Sequence, residues 1–335
     1  MQATPRPARR AVLGQLDDMD LRLLKVFRSV VQCGGMTAAE LELNIGTSTI
    51  SRHVKDLETR LGLLLCRRGR AGFALTEEGQ RVYDETQRLL AAVDAFRSGI
   101  DDIHGRMGGT LELAVFDKTA TNPQARIAEA IARFCAQAPE VRPSLHVASI
   151  QEIERGVIDG RFALGIIPAH RASRSLRYAD LFGETMLLYC GRNHPLFGAD
   201  HAGLSWARLR QYPFAGLAYH SPNMELSHRQ QLVRRASGHD QEAIATLVLS
   251  GCFLGFLPDH YAAGFVAQGL LQAVAPQRFS YACQFVSLLR RSPQPSRAAL
   301  LFQDCLAAAH QPPRDAPGRP RLPSPPRGPG PGTVQ

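Results

Sequence analysis

Residues Thr37–Ser51 read TAAELELNIGTSTIS, and positions 52–62 continue RHVKDLETRLG. From about Thr49 to Leu61 the apolar residues Ile50, Val54, Leu57 and Leu61 fall at steps of four, three and four, which is one buried stripe of an α-helix. Ser48, Ser51, Arg52 and Lys55 take the opposite stripe and His53 lies toward the flank. Hydroxyls and a guanidinium reach base edges and an ammonium neutralises phosphate, so this outer face suits a nucleic-acid duplex. Thr37 is placed to cap a preceding helix in which Ala38 and Ala39 permit a close crossing and Leu41 and Leu43 fill the gap. Asn44 and Gly46 supply the turn. An ordinary helical hairpin of an α-rich enzyme would share this window but not its flanks.

Downstream, LLLCRRGRAGFALT sets two apolar runs around Arg67, Arg68, Gly69, Arg70, Ala71 and Gly72, so a short β-hairpin with a cationic tip is expected. Six cations against two carboxylates between Thr47 and Arg70 give a local positive face. A solvated edge that blocks aggregation is the bland alternative for the arginines.

Residues 19 to 79 resemble the winged helix-turn-helix of the LysR-type transcriptional regulators, through Met19-Asp20-Leu21, Phe27, Gly35, Thr37-Ala38-Ala39, Leu43, Ser51, Leu57-Glu58, Leu61-Gly62, Leu65, Arg68, Leu75-Thr76 and Gly79. The chain departs from that family in Gly46-Thr47 where Ser-Gln is usual, in Cys66 where an aromatic is usual, and in Glu78 where Ala is usual. Loss of the glutamine at Thr47 removes a bidentate contact and should change base preference there. The resemblance makes Thr37, Thr47, Ser48, Thr49, Ser51, Arg52, His53, Lys55, Arg68 and Arg70 the candidate DNA-contacting residues, with double-stranded DNA as partner and RNA polymerase as a further one.

Val82, Thr86, Leu89, Val93, Phe96, Ile100 and Ile103 then repeat every seven residues for three heptads. This reads as a dimer seam on a helix over 77–105, ~43 Å long at ~1.5 Å per residue, with Thr86 placed to lock register. The alternative is a stripe packed on the helix's own domain. In the resemblance it is the linker helix, and the resemblance also implies tetramers through the effector domains.

From Thr110 strand-like runs LELAVF, SLHVAS and FALGII alternate with helical stretches at 123–138 and 152–159. TMLLYC, a helix at Trp206, YPFAGLAY, a helix over 224–235, a helix ending LVLSG, CFLGFLP, FSYACQFVSLLRR and a last helix over 295–310 follow. The fold class expected is α/β with an all-α/winged-helix N-terminal domain: a winged helix-turn-helix (17–76), a linker helix (77–107) and a two-lobed effector domain (108–310) that resembles periplasmic binding proteins. The Pro- and Gly-rich segment 311–335 and the arm 1–16 should be disordered, and Met19 is as plausible a start as Met1.

Ligands of open α/β sheets sit beyond the carboxyl ends of strands, near helix N-termini. Asp117 to Asn122 lead there into Pro123, read as a helix-opening proline, so Thr119, Thr121 and Asn122 form a candidate anion-accepting corner. Ser149, Gln151, Tyr219, His220, Cys252 and Phe253 complete the candidate effector set, although each hydroxyl before a helix is first of all a cap. The set fits a small organic anion and neutral polar ligands nearly as well.

There is no GxSxG, GxxxxGK[ST], HExxH or GxGxxG motif, so no enzyme, cofactor or metal is expected. Cys190 near His194 is the one thiol and base pair, and a cysteine closing an apolar strand is more often core. A small-molecule-binding protein or enzyme that uses the helix-turn-helix only as a structural or dimerisation module is the competing reading. Seven scattered cysteines without a CxxC pair argue against zinc and disulfide frameworks and fit a reducing cytoplasm. There is no apolar run of ~18 residues, the length needed to span a membrane, and the net charge of +9 is a weaker clue than the cations clustered at the wing.

Overall fold

The computed structural model describes residues 16–69, 72–103, 107–219 and 221–311. Arg70, His220, residues 1–15 and residues 312–335 lie outside the described residues, as do the side chains of Arg68 and Ile103.

Helix α1 (Asp18–Gln32) opens on a capping box in which Asp17 accepts from the Asp20 amide and Asp20 accepts from the Asp17 amide. It packs on α2 (Ala39–Leu43) and α3 (Thr47–Leu61). Strands β1 (Cys66–Gly69) and β2 (Gly72–Leu75) form an antiparallel hairpin with Cys66 opposite Leu75. Glu58 of α3 accepts from the amides of Leu65 (2.9 Å) and Cys66 (3.3 Å), which ties the hairpin to the helix. Helix α4 (Glu77–Ile103) leaves at once: Thr76 caps it by accepting from the Gly79 amide at 2.8 Å. Gly79 is required there, because a Cβ would sit 1.9 Å from the Leu65 carbonyl oxygen.

Beyond residue 107 the chain builds β3 (Gly109–Val115), a short 3-10 turn (Thr119–Thr121), α5 (Ile127–Gln137), β4 (Val141–Val147), α6 (Ile150–Ile158) and β5 (Leu164–Pro168). These form a parallel lobe of the sheet, with Leu113 of β3 between Leu145 of β4 and Leu164 of β5. The long strand β6 (Leu176–Gly191) crosses to a second lobe of α7 (Trp206–Leu209), β7 (Phe214–Leu217), α8 (Pro222–Arg229), β8 (Arg234–Gly238), α9 (Gln241–Leu249), β9 (Leu254–Pro258), α10 (Asp259–Ala267) and β10 (Leu271–Ala273). β11 (Ser280–Arg290) returns antiparallel to β6 and ends in α11 (Arg297–His310), back on the first lobe. The sheet order is β4-β3-β5-β11-β6-β9-β7-β8, with β10 on β6. Two long strands thus join two βα lobes, as the sequence pattern implied.

Four local readings are corrected. Thr37 is no side-chain cap: the N-cap position of α2 is Ala38, in helical geometry and without a side-chain cap, and Thr37 is exposed. Leu41 does not fill the gap between helices; it is 94% exposed, whereas Leu43 packs on the core. Pro123 opens no helix, because a turn intervenes and α5 begins at Ile127. The helix expected over 224–235 ends at Arg229, since Gln231 takes a left-handed conformation and Arg234–Gly238 pairs parallel with β7. RRASG carries no apolar alternation, so its strand is set by tertiary pairing.

Candidate functional site

In the N-terminal head, Ile50, Val54 and Leu57 are fully buried against α1 and the β-hairpin. Each such side chain contributes ~1.5–3 kcal/mol, which fixes the rotation of α3. Ser48, Thr49, Arg52 and Lys55 therefore face outward, Thr47, Ser51 and His53 lie at the flanks, and no described carboxylate forms an ion pair with Arg52 or Lys55. Arg60 belongs elsewhere: it pairs with Asp17 (3.3 Å) and with the buried Asp20, which tethers α3 to the start of α1 and removes this cation from the outer face.

Gly46 gives α3 no side-chain cap, and Glu40 of α2 takes that role by accepting from the Thr47 amide. Hydrogen bonds from Thr47 hold the Glu40 carboxyl below its ordinary range. This link joins the two helices of the motif. The sequence signal for it was available, a carboxylate seven positions before the first residue of an uncapped helix.

Along α4 the heptad stripe divides. Val82 and Leu89 pack on the same head as Leu23, Phe27 and Leu57, Thr86 is buried and donates to the Val82 carbonyl at 2.7 Å, and Val93 is half-buried. Phe96 and Ile100 are 71% and 40% exposed. The stripe is thus committed within the chain at Val82, Thr86 and Leu89 and exposed at Phe96 and Ile100.

The other site lies between the lobes, under α4. A cavity of about 910 Å³ is bounded by Tyr83 and Gln87 of α4, by Asp117 after β3, by Ser149 and Gln151 at the start of α6, and by Tyr219 after β7. Asp117 Oδ2 accepts from the Gln241 amide at the first turn of α9 (2.6 Å), which bridges the lobes. Burial pushes the Asp117 carboxyl up to about 6. Its Oδ1, the Tyr219 hydroxyl and Gln241 Oε1 are buried without a hydrogen-bond partner among the described residues.

Two further links close the lobes. Lys118 pairs with Glu242 of α9 and lies 4.6 Å above the Tyr261 ring. His260 of α10 contacts Thr121 (2.8 Å) and Glu184 of β6 (2.9 Å) through its two ring nitrogens.

The candidate effector residues separate accordingly. Ser149, Gln151 and Tyr219 line the cavity, although Ser149 is also the N-cap of α6, in a capping box with Glu152. Thr121 serves the His260 link, and Asn122 donates to the Gly183 carbonyl (3.2 Å) while accepting from the Gln124 amide (2.9 Å). With Thr119 buried in the 3-10 turn, the corner is spent on structure. Cys252 and Phe253 precede β9, which runs parallel to β7 with Phe214 opposite Leu254. They stand at the amino ends of these strands, away from Tyr219 at the carboxyl end. Asp117 and Gln241 were missed, and the available signal was a carboxylate at the carboxyl end of an apolar strand.

Cys190 makes no nucleophile. It is fully buried, its Sγ donates to the Gln272 carbonyl, and desolvation raises its thiol to about 12. His194 Nδ1 accepts from the Leu196 amide instead. Among the described residues no cluster of metal-ligating groups occurs, and no helix is long and apolar enough to cross a membrane.

Comparison with known proteins places these two sites in one framework. Residues 21–80 match the family described as "Bacterial regulatory helix-turn-helix protein, lysR family", and residues 104–311 match "LysR substrate binding domain". The HTH-type transcriptional activator BauR of Pseudomonas aeruginosa is 39% identical over 302 residues, covering 90% of this chain and 99% of its own. A probable HTH-type transcriptional regulator, LrrA of Synechococcus elongatus, is 28% identical over 245 residues, covering 72% and 81%. Crystal structures of CbnR, a LysR family transcriptional regulator, share the fold: the protein alone at TM-score 0.58 and 19% identity (87% and 99% covered), and its complex with target DNA at 0.55 and 20% (86% and 99%). With both family regions matched and a relative aligned over nearly its whole length, the chain belongs to the LysR family of DNA-binding transcriptional regulators, built from a helix-turn-helix head and an effector-binding domain.

Proposed function

We propose that α3 enters the major groove, with Ser48, Thr49, Ser51 and Arg52 at base edges and Thr47 and His53 beside them. Lys55 and the wing arginines Arg67, Arg68 and Arg70 then serve the phosphates. The observation that carries this reading is the exposed hydroxyl and cation face of α3, held in place by the fully buried Ile50, Val54 and Leu57. Two chains pair through the open half of the α4 stripe, at Val93, Phe96 and Ile100 with Ile103, and set two heads on an interrupted palindrome. Effector domains associate further into tetramers.

A small molecule enters the cavity between the lobes and shifts the population of DNA-bound arrangements by no more than its differential affinity for them. As the Pseudomonas relative is an activator, we read this chain as one too, with RNA polymerase as the partner recruited. The test is capture of genomic DNA fragments by purified protein at ~0.15 M salt, near physiological ionic strength, followed by sequencing. Sharp enrichment over an interrupted palindrome is expected; the absence of any enriched site with and without added metabolite extract would refute it.

A further inference from the structure

The cavity between the lobes has a polarity that the sequence did not announce. Two groups on its lining, Asp117 Oδ1 and the Tyr219 hydroxyl on residues 8% and 9% exposed, are buried without a hydrogen-bond partner among the described residues, as is Gln241 Oε1 on a residue 3% exposed outside the lining. Two of the three only accept hydrogen bonds, and the third does so as readily as it donates. At Asp117 itself the like charges of Asp240 and Glu184 are felt, while the cations that line the cavity, Arg88, Arg155 and Arg161, stand on α4, on α6 and just after it. Lys118, the adjacent cation, is held by Glu242. The place where an anion would ordinarily bind, the first turn of α9, already has a carboxylate on it, because Asp117 Oδ2 accepts from the Gln241 amide. An anionic group at that turn would have to displace the Asp117 carboxylate.

We propose that the effector carries a protonated amine, and that its ammonium group docks against Asp117 Oδ1 and the Tyr219 hydroxyl in the cavity between the lobes. This rests on the reading of that cavity as the effector site, and it replaces the small organic anion expected from the hydroxyl corner. An ammonium has three donors and no acceptor, which matches the unpartnered groups. Asp117 and Tyr219 belong to different lobes, so one ammonium would bridge them beside the existing Asp117–Gln241 link. Binding would then favour the closed arrangement of the lobes over any open one, which is the differential contact that an effector requires.

The experiment is ligand-observed saturation-transfer NMR on the full-length protein with three probes of equal chain length, propylamine, propionate and propanol, each at millimolar concentration. Propylamine should give transfer and the other two should not. Asp117→Asn should weaken propylamine binding by about tenfold or more, the worth of a charged hydrogen bond, and Tyr219→Phe by a few-fold. Because Asp117→Asn preserves shape and the Gln241 contact, and Tyr219→Phe removes a single oxygen, circular dichroism of both should match the parent. Propionate or propanol binding as well as propylamine would overturn the amine assignment while leaving the cavity as effector site. Propylamine transfer that is unchanged in both variants would place its site elsewhere and also overturn it. Silence from all three probes would overturn the proposal together with the effector reading of this cavity, whereas loss of DNA capture bears only on the head.

Discussion

Replacing Asp117 by asparagine should make the effector domain more stable at neutral pH. The carboxyl is raised from an ordinary 3.8 to about 6, chiefly by burial, with the like charges of Asp240 and Glu184 adding to the rise and the Gln241 amide and Lys118 opposing it. At ~1.36 kcal/mol per pH unit, that rise puts the ionised form about 3 kcal/mol in deficit. The sign follows from which state ionises first. Below about pH 4 the carboxyl is protonated folded and unfolded, and nothing is lost. Between 4 and 6 the unfolded chain ionises and the folded one resists, so stability falls; above 6 the whole deficit is present. Asparagine stays neutral throughout, keeps the shape, and its Oδ1 still accepts from the Gln241 amide. The expected gain is therefore about 3 kcal/mol at pH 8 and about half of that at pH 5. For a domain of this size ~3 kcal/mol corresponds to a rise on the order of 5–10 °C in Tm. Thermal unfolding of parent and variant at pH 5, 6, 7 and 8, in matched salt, measures it. A gain of equal size at every pH, or a loss at pH 8, would show that Asp117 is not a desolvated carboxylate and would remove the basis for its role in ligand binding. A residue that lowers stability is retained when the site needs its charge.

Other consequences are as direct. Arg52→Ala should cost ~1–3 kcal/mol on the specific DNA site and little on random DNA, whereas Lys55→Ala should weaken both alike and lower the salt slope by about one; fluorescence anisotropy against salt separates them, and equal losses on all sequences would refute the division. Gly79→Ala forces a Cβ to 1.9 Å from the Leu65 carbonyl oxygen, so α4 must shift from the head at a cost on the order of 2–4 kcal/mol, read as a lower Tm together with weaker DNA binding; a variant with parental values for both would refute the close packing of the helix start on Leu65. Phe96→Glu with Ile100→Glu places charges on the exposed part of the α4 stripe, and light scattering should show the proposed dimer reduced to monomer at micromolar concentration while circular dichroism is unchanged; a variant that stays dimeric would place the pairing elsewhere.

The head was legible in sequence because its signals are local. A stripe at steps of four, three and four fixed the rotation of α3, and two apolar runs around glycines fixed the hairpin. The heptad repeat in α4 was equally visible, but periodicity does not say what covers a stripe. Only the fold divides it between the chain's own α1, which takes Val82 and Leu89, and the exposed Phe96 and Ile100. The cavity was the least legible part. Thr119, Thr121 and Asn122 have the composition of an anion site, and their hydrogen bonds go instead to a turn, to His260 and to Gly183. Asp117 and Gln241 are 124 positions apart and meet because β6 and β11 carry the chain from lobe to lobe. No window of sequence contains that distance. Cys252 and Phe253 lie off the cavity for a related reason: whether a residue stands at one end of a sheet or the other depends on strand direction, which the sheet order decides.

How a ligand in the cavity would reach the DNA depends on what connects α4 to the effector domain. The direct links are modest. Arg88 and Asp159 form an ion pair at 3.2 Å, with side chains 47% and 27% exposed, and exposed pairs of this kind are worth at most ~1 kcal/mol. Such a contact changes a population by about fivefold at best, too little to switch a promoter by itself. Tyr83 is better placed. It lines the cavity on one side, and on the other its ring packs edge-on against Phe27, fully buried in α1, at 6.5 Å between centroids. Packed aromatic contacts have few alternative arrangements, so a change in the cavity wall that displaces Tyr83 must either move α1 with it or open a void in the head. Coupling carried this way scales with burial rather than with charge, and it should survive high salt, where coupling carried by Arg88 and Asp159 would fade.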